Sequence, residues 1–302
     1  MSSDFHISDE CYKEMCAISY NNGDILPLML VDLSGWETII PPNGSLHNIL
    51  SGFDAVVFKR LETNQIVIAY RGTEGSASLD RSIPDYVTDA TSIAINGKKL
   101  WHGFSLILPY LPGAAAVNAR LIHLGESFLN KNSQFTKADQ LFKAVKIDYP
   151  SADISLTGHS LGGALAQYVA GKNNIYAVTY SAPSVVDLLP KELSKKAYAG
   201  VFDDKIINYV NPKDPIAAGA FSEYTRHVGS TYYIDSNYKD ANEIYTGPDG
   251  TIKRFWNSIF GDTPNHSLDR YSFDKDGNLD NEIFDVATNN RLSCSPRSRK
   301  GN

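Results

Sequence analysis

Residues 153–171 read as a strand that turns into a helix with no loop to spare. Asp153–Thr157 is an apolar, β-prone run, Leu161–Gly171 opens a helix, and Gly158-His159-Ser160-Leu161-Gly162 joins them. A turn this sharp needs glycine on both sides, because a Cβ at either position would collide with the neighbouring strand or helix. It also projects the Ser160 hydroxyl above a sheet and holds its backbone under strain. The helix begins Gly162-Gly163-Ala164, small enough for its N-terminus to approach that hydroxyl. Free N–H groups and the helix dipole favour negative charge there. G-x-S-x-G alone occurs often by chance, but a strand before it and a helix after it make Ser160 a nucleophile candidate.

Strand and helix signals alternate on either side. Ala55–Lys59 and Ile66–Tyr70 predict a hairpin, and Ile175–Ser181 and Ile206–Val210 predict further strands. Val117–Leu129 and Ala138–Ile147 carry apolar residues at helical spacing, the second stopped near Pro150. The pattern predicts an α/β fold: a central, mixed, mostly parallel sheet flanked by helices, with the first hairpin as its antiparallel part. With 302 residues, 42% of them hydrophobic, the chain can bury a core and is not disordered by composition. No apolar stretch approaches the roughly 18–20 residues of a membrane span. The polar, acidic start MSSDFHISDECYKE lacks the pattern of a secretory signal, so the expectation is a cytoplasmic protein or one exported without an N-terminal leader.

The net charge of −6 argues against a nucleic-acid partner. It is unevenly placed: residues 286–302 hold four basic residues and no acid, leaving −10 on the rest. The expected organisation is therefore a single domain over residues 1–285 and a basic, disordered tail over 286–302. Cys11, Cys16 and Cys294 form neither a disulfide framework nor a zinc site, and no cofactor or metal is expected. Gly171-Lys172-Asn173 lacks the Ser/Thr and glycine spacing of a phosphate loop. Asp274–Asn278 has its glycine at the fourth rather than the sixth position of a calcium loop, so a plain turn between Phe273 and Leu279 is expected.

A serine hydroxyl needs a base and an acid that orients the base. On a sheet of this kind the partners follow in the order Ser, acid, His. His6, His47, His102, His123 and His159 precede Ser160 and drop out, leaving His227 and His266. Asp214 follows the strand Ile206–Val210, at the strand edge where sites form, whereas Asp203 and Asp204 precede it; Asp187 is the reserve. His266 is preferred as the base because it sits on a loop that can reach across, while His227 falls in a predicted Tyr-rich strand over Tyr224–Ile234.

These residues resemble the class 3 lipases, the fungal-lipase-like branch of the α/β-hydrolases. Gly158–Ala166 is similar to that family's nucleophile segment nearly letter for letter, and IVIAYRGT at Ile66–Thr73 resembles its strand ending in an aromatic-Arg-Gly-Thr/Ser turn. Asp85-Tyr86, Asp89, Trp101–Phe104, Asn211–Ile216 and His266–Tyr271 look like its other segments, in order. The resemblance implies hydrolysis of lipid esters through Ser160, Asp214 and His266. It further implies an oxyanion hole from the backbone N–H groups of Thr73 and Leu161. It places a lid over Glu74–Pro84, where only Leu79 and Ile83 are bulky and apolar. So polar a lid suits an esterase or phospholipase as well as a triacylglycerol lipase. The expected partners are a lipid or other ester substrate and, transiently, a membrane or lipid interface. The alternatives are a non-catalytic lipase-like binding or signalling module, or a leaderless exported effector that attacks membranes with the same chemistry.

Overall fold

The computed structural model describes residues 6–20, 33–48, 51–72, 134–214, 217–218, 226–237, 265–288 and 290–298. Thr73, the lid segment Glu74–Pro84, Asp85, Tyr86, Asp89, Trp101–Phe104 and the predicted helix Val117–Leu129 lie outside the described residues.

Period-two burial builds the sheet. In β3 (Phe53–Arg60) and β4 (Gln65–Tyr70), Phe53, Ala55, Val57, Ile66, Ile68 and Tyr70 join one core, while Val56, Phe58, Val67 and Ala69 join another on the opposite face. Successive strand side chains point to opposite faces, so continuous apolar runs mean a sheet covered on both sides. The predicted hairpin is present: β3 and β4 pair antiparallel, with Ala55 opposite Tyr70. From β4 the sheet continues in parallel through β5 (Asp153–His159), β6 (Tyr176–Tyr180), β7 (Ile206–Val210) and β8 (Ser230–Ile234). Antiparallel strands extend it at both ends: β1 (Trp36–Ile39) and the short β2 (His47–Asn48) against β3, and β9 (Ile283–Asp285) and β10 (Asn290–Leu292) beyond β8.

Helices α2 (Gln134–Asp148), α3 (Leu161–Asn173) and α4 (Lys191–Tyr198) contribute to the first core. Helix α1 (Asp9–Tyr20) covers the other face, burying Tyr12, Met15, Cys16 and Ile18. It lies along β5: the Tyr12 hydroxyl donates to Ser155 Oγ at 2.8 Å, and Cys16 Sγ meets Thr157 Oγ1 at 3.1 Å. Among the described residues no helix is long and apolar enough to cross a membrane.

Two expectations change. His227 precedes β8 rather than lying within it, since the strand begins only at Ser230. The tail, read as disordered because it is basic and Ser-rich, is built into the fold through residue 298. Its charges have partners that the local sequence could not display. Arg291 pairs with Glu282 at 2.7 Å, and Arg297 is buried against Asp9 at the start of α1. The Arg297 guanidinium also donates to Tyr176 Oη at 2.7 Å and to the Ile7 carbonyl at 2.6 Å, and stands 4.9 Å from the Tyr12 ring centroid. The 274–278 segment is the expected turn, with Asp274 Oδ1 accepting the N–H groups of Asp276 and Asn278.

Candidate active site

Strand β5 runs to His159 and α3 begins at Leu161, which leaves Ser160 alone at the turn with φ +56° and ψ −128°. A non-glycine residue held there costs about 1–3 kcal/mol and persists only where its surroundings over-determine it. Those surroundings are the two glycines. A Cβ on Gly158 would stand 2.3 Å from the Gly162 carbonyl carbon, and one on Gly162 would stand 2.0 Å from the Tyr70 carbonyl oxygen. The helix backbone therefore packs directly on β5 and on the end of β4. Leu161 opens α3, so its N–H is among the first-turn donors that the helix itself does not use.

Asp214 arrives by a tight turn four residues beyond the end of β7. Asn211 Oδ1 accepts the Lys213 N–H at 2.8 Å, and the Asn211 carbonyl accepts the Asp214 N–H at 2.9 Å. His266 comes from the loop that follows residue 264, next to the 3₁₀ turn Leu268–Arg270. The three side chains meet in a line. Asp214 Oδ2 lies 2.7 Å from His266 Nδ1, and His266 Nε2 lies 2.7 Å from Ser160 Oγ. A carboxylate only accepts, so His266 donates from Nδ1, and its Nε2 lone pair accepts the Ser160 hydroxyl. All three residues are buried, Asp214 at 0%, Ser160 at 1% and His266 at 4% exposure. A proton can pass from the serine to the imidazole while the buried carboxylate faces the charge that develops.

Three of the five residues singled out in the sequence thus come together, Leu161 stands beside them, and Thr73 lies outside the described residues. Gly72 is nevertheless adjacent to the serine turn: a Cβ on it would stand 2.7 Å from the His159 carbonyl oxygen and 3.4 Å from the Gly162 nitrogen. Asp187, the reserve acid, instead accepts the Tyr198 hydroxyl at 3.0 Å on an exposed surface. His227 is enclosed elsewhere, between Asn208 and the Ala217 carbonyl. Among the described residues no group of three or more His, Cys, Asp or Glu could hold a metal ion.

Two neighbours of the site were not singled out from the sequence, Tyr20 and His159. The His159 ring lies 4.9 Å from that of His266 and reaches the His266 carbonyl, and Tyr20 touches His159. Burial and the neighbouring His266 push the His159 pKa down to about 3, and burial pushes His227 down to about 4. Both rings are neutral near pH 7.

The family model described as "Lipase (class 3)" matches residues 67–223, slightly more than half of the chain, running from within β4 past Asp214. The chain belongs to the class 3 lipase family. Its mixed, mostly parallel sheet with flanking helices and its strand–serine–helix turn are those of an α/β-hydrolase. Curated relatives carry the name "Putative lipase ATG15". The protein of Candida glabrata is 28% identical over 177 residues, 56% of this chain and 34% of the relative. That of Eremothecium gossypii is 36% identical over 97 residues, 31% of this chain and 18% of the relative. The matches thus span well under half the length of these relatives. Among solved structures, the Lip2 lipase of Yarrowia lipolytica is 17% identical with a TM-score of 0.42, over 76% of this chain and 81% of that one. A triacylglyceride lipase of Rhizomucor miehei gives 17% and 0.42, over 74% and 78%.

Proposed function

We propose that this member of the class 3 lipase family is a serine carboxylic ester hydrolase acting on lipid esters. The observation that carries the reading is the buried line Asp214–His266–Ser160, with both contacts at 2.7 Å, at the start of α3. Ser160 Oγ attacks the acyl carbonyl carbon and its proton passes to His266 Nε2. The carbonyl oxygen becomes an oxyanion, held by the N–H groups of Leu161 and Thr73; such donors are worth about 2.7–4 kcal/mol each. Collapse breaks the ester C–O bond, and the departing alcohol takes the proton from His266. Water then repeats the sequence on the acyl-enzyme, releasing the carboxylic acid and restoring Ser160. Asp214 holds His266 in the required tautomer and stabilises the imidazolium.

The sheet runs unbroken from β1 to β10, which supports reading the chain as one catalytic unit whose C-terminal strand belongs to it. Lipid esters are favoured by family membership and by the relatives' names. Phospholipids, triacylglycerols and shorter esters all present the same carbonyl to Ser160. The test is a substrate profile over these three groups, with Ser160→Ala as blank. Turnover of long-chain esters that vanishes in the variant supports the reading. Inactivity of the wild-type chain on every ester would mark a lipase-like binding module instead.

A further inference from the structure

Two of the histidines passed over as bases bond in the same way, each to a loop that carries a partner of Ser160. His159 Nε2 lies 2.6 Å from the His266 carbonyl oxygen, and Tyr20 Oη lies 3.0 Å from His159 Nδ1. A carbonyl only accepts, so the proton of the neutral ring is on Nε2, and Nδ1 accepts the Tyr20 hydroxyl. His227 repeats the arrangement. Its Nε2 donates to the Ala217 carbonyl at 3.1 Å, and its Nδ1 accepts from Asn208 Nδ2 at 2.8 Å. Asn208 is itself oriented, because its Oδ1 accepts Thr179 Oγ1 at 2.9 Å and the Ala182 N–H at 3.3 Å. Ala217 and its neighbour are tied to the acid: the Ala217 N–H reaches Asp214 Oδ1 at 3.4 Å and the Ala218 N–H donates to the Asp214 carbonyl at 2.9 Å.

Neither ring is needed by the fold pattern alone. The second position of G-x-S-x-G is open to any residue, and a buried imidazole is costly unless both nitrogens are bonded. We propose that His159 and His227 are positioning residues: His159, aligned by Tyr20, fixes the backbone of His266, and His227, aligned by Asn208, fixes the turn that carries Asp214. This inference rests on the hydrolase reading above. It makes α1 part of the site, since Tyr20 is that helix's last residue. The His159 ring beside the base, kept neutral chiefly by burial, adds no second cation to oppose the charge His266 gains with the Ser160 proton.

The test uses the full chain and a soluble short-chain ester. Tyr20→Phe removes one hydroxyl and should lower kcat about tenfold with KM held within about twofold, because small misplacements of reacting groups cost up to ~10² in rate. His159→Leu and His227→Leu should lower kcat further. His159→Gln and His227→Gln, which keep an N–H able to reach the same carbonyls, should recover part of the rate. The low-field proton of the His266–Asp214 hydrogen bond, read by ¹H NMR, should shift or broaden in Tyr20→Phe and both leucine variants. Wild-type kcat with an unchanged low-field proton in folded Tyr20→Phe overturns the His159 arm, and the same result in folded His227→Leu overturns the His227 arm. If a leucine variant does not fold, Tyr20→Phe decides the first arm and His227→Gln the second: a kcat below wild type with a shifted low-field proton supports that arm, and wild-type kcat with an unchanged proton overturns it. Ser160→Ala separates the two ideas: an inactive Ser160→Ala beside fully active positioning variants refutes this inference alone, whereas an active Ser160→Ala refutes the hydrolase reading itself.

Discussion

Replacing Arg297 by Met should destabilise the protein by about 3–5 kcal/mol, the usual cost of stripping one partner from a buried ion pair. Its side chain is 4% exposed and that of Asp9 is 1% exposed. In the variant, Asp9 would keep neutral donors: Ser295 Oγ at 2.8 Å, the Leu279 N–H at 3.1 Å and Tyr209 Oη at 3.2 Å. It would lose its cation while staying out of water. The Tyr176 hydroxyl and the Ile7 carbonyl would lose their donors as well. Arg291 is the internal control, because its pair with Glu282 is exposed, with side chains at 64% and 50%. Arg291→Ala should therefore cost under about 1 kcal/mol. Urea unfolding of wild type, Asp9→Asn, Arg297→Met and the double variant completes a cycle. The double variant should cost clearly less than the two singles combined, because it leaves no buried charge. If Arg297→Met is no more costly than Arg291→Ala, the tail does not clasp α1 and the reasoning fails.

Gly162→Ala should abolish soluble, folded protein, as its Cβ would fall 2.0 Å from the Tyr70 carbonyl oxygen; native circular dichroism and expression in that variant would contradict the packing described. Asp214→Asn should keep the fold and lower kcat by roughly 10³–10⁴, because an amide does not enforce the Nδ1–H tautomer of His266; steady-state rates beside a melting curve check both halves. His159 and His227 are held neutral, at about 3 and about 4, and become protonated near 6.5 when the chain unfolds. Lowering the pH from 7 therefore loads protons onto the unfolded state first. The stability these rings allow is whole above about pH 6.5 and is lost toward pH 4, at up to about 1.4 kcal/mol per pH unit for each ring. Equal urea midpoints at pH 7 and pH 5 would refute this.

The parallel half of the sheet was legible because its strands are buried on both faces and read as apolar runs, as in Ile66–Tyr70, or as runs broken by a single polar residue, as by Asn208 in Ile206–Val210. The serine turn was legible because its glycines are dictated by close backbone contact. The acid and base could be ordered along the chain, and the loop position of His266 chose it over His227, even though the strand assigned to His227 begins three residues later. What escaped was carried by contacts between distant segments. Helix α1 has Tyr12, Met15 and Cys16 at helical spacing, but the acidic residues among them made the segment read only as a polar start. The last two strands, β9 and β10, are three residues each and gain their pairing only from the strands beside them. The tail's basic residues signalled solvation until Asp9, nearly 290 positions away, supplied a buried partner. His159 was dismissed on chain order, which is right for a base and silent about a positioning role.

The most direct test of the central claim is the mass of the protein after exposure to a fluorophosphonate, a probe that phosphonylates activated serines. The account predicts a single adduct on the peptide containing Ser160, loss of ester turnover in step with labelling, and neither adduct nor turnover in Ser160→Ala. An adduct elsewhere, or ester hydrolysis that survives in Ser160→Ala, would contradict it.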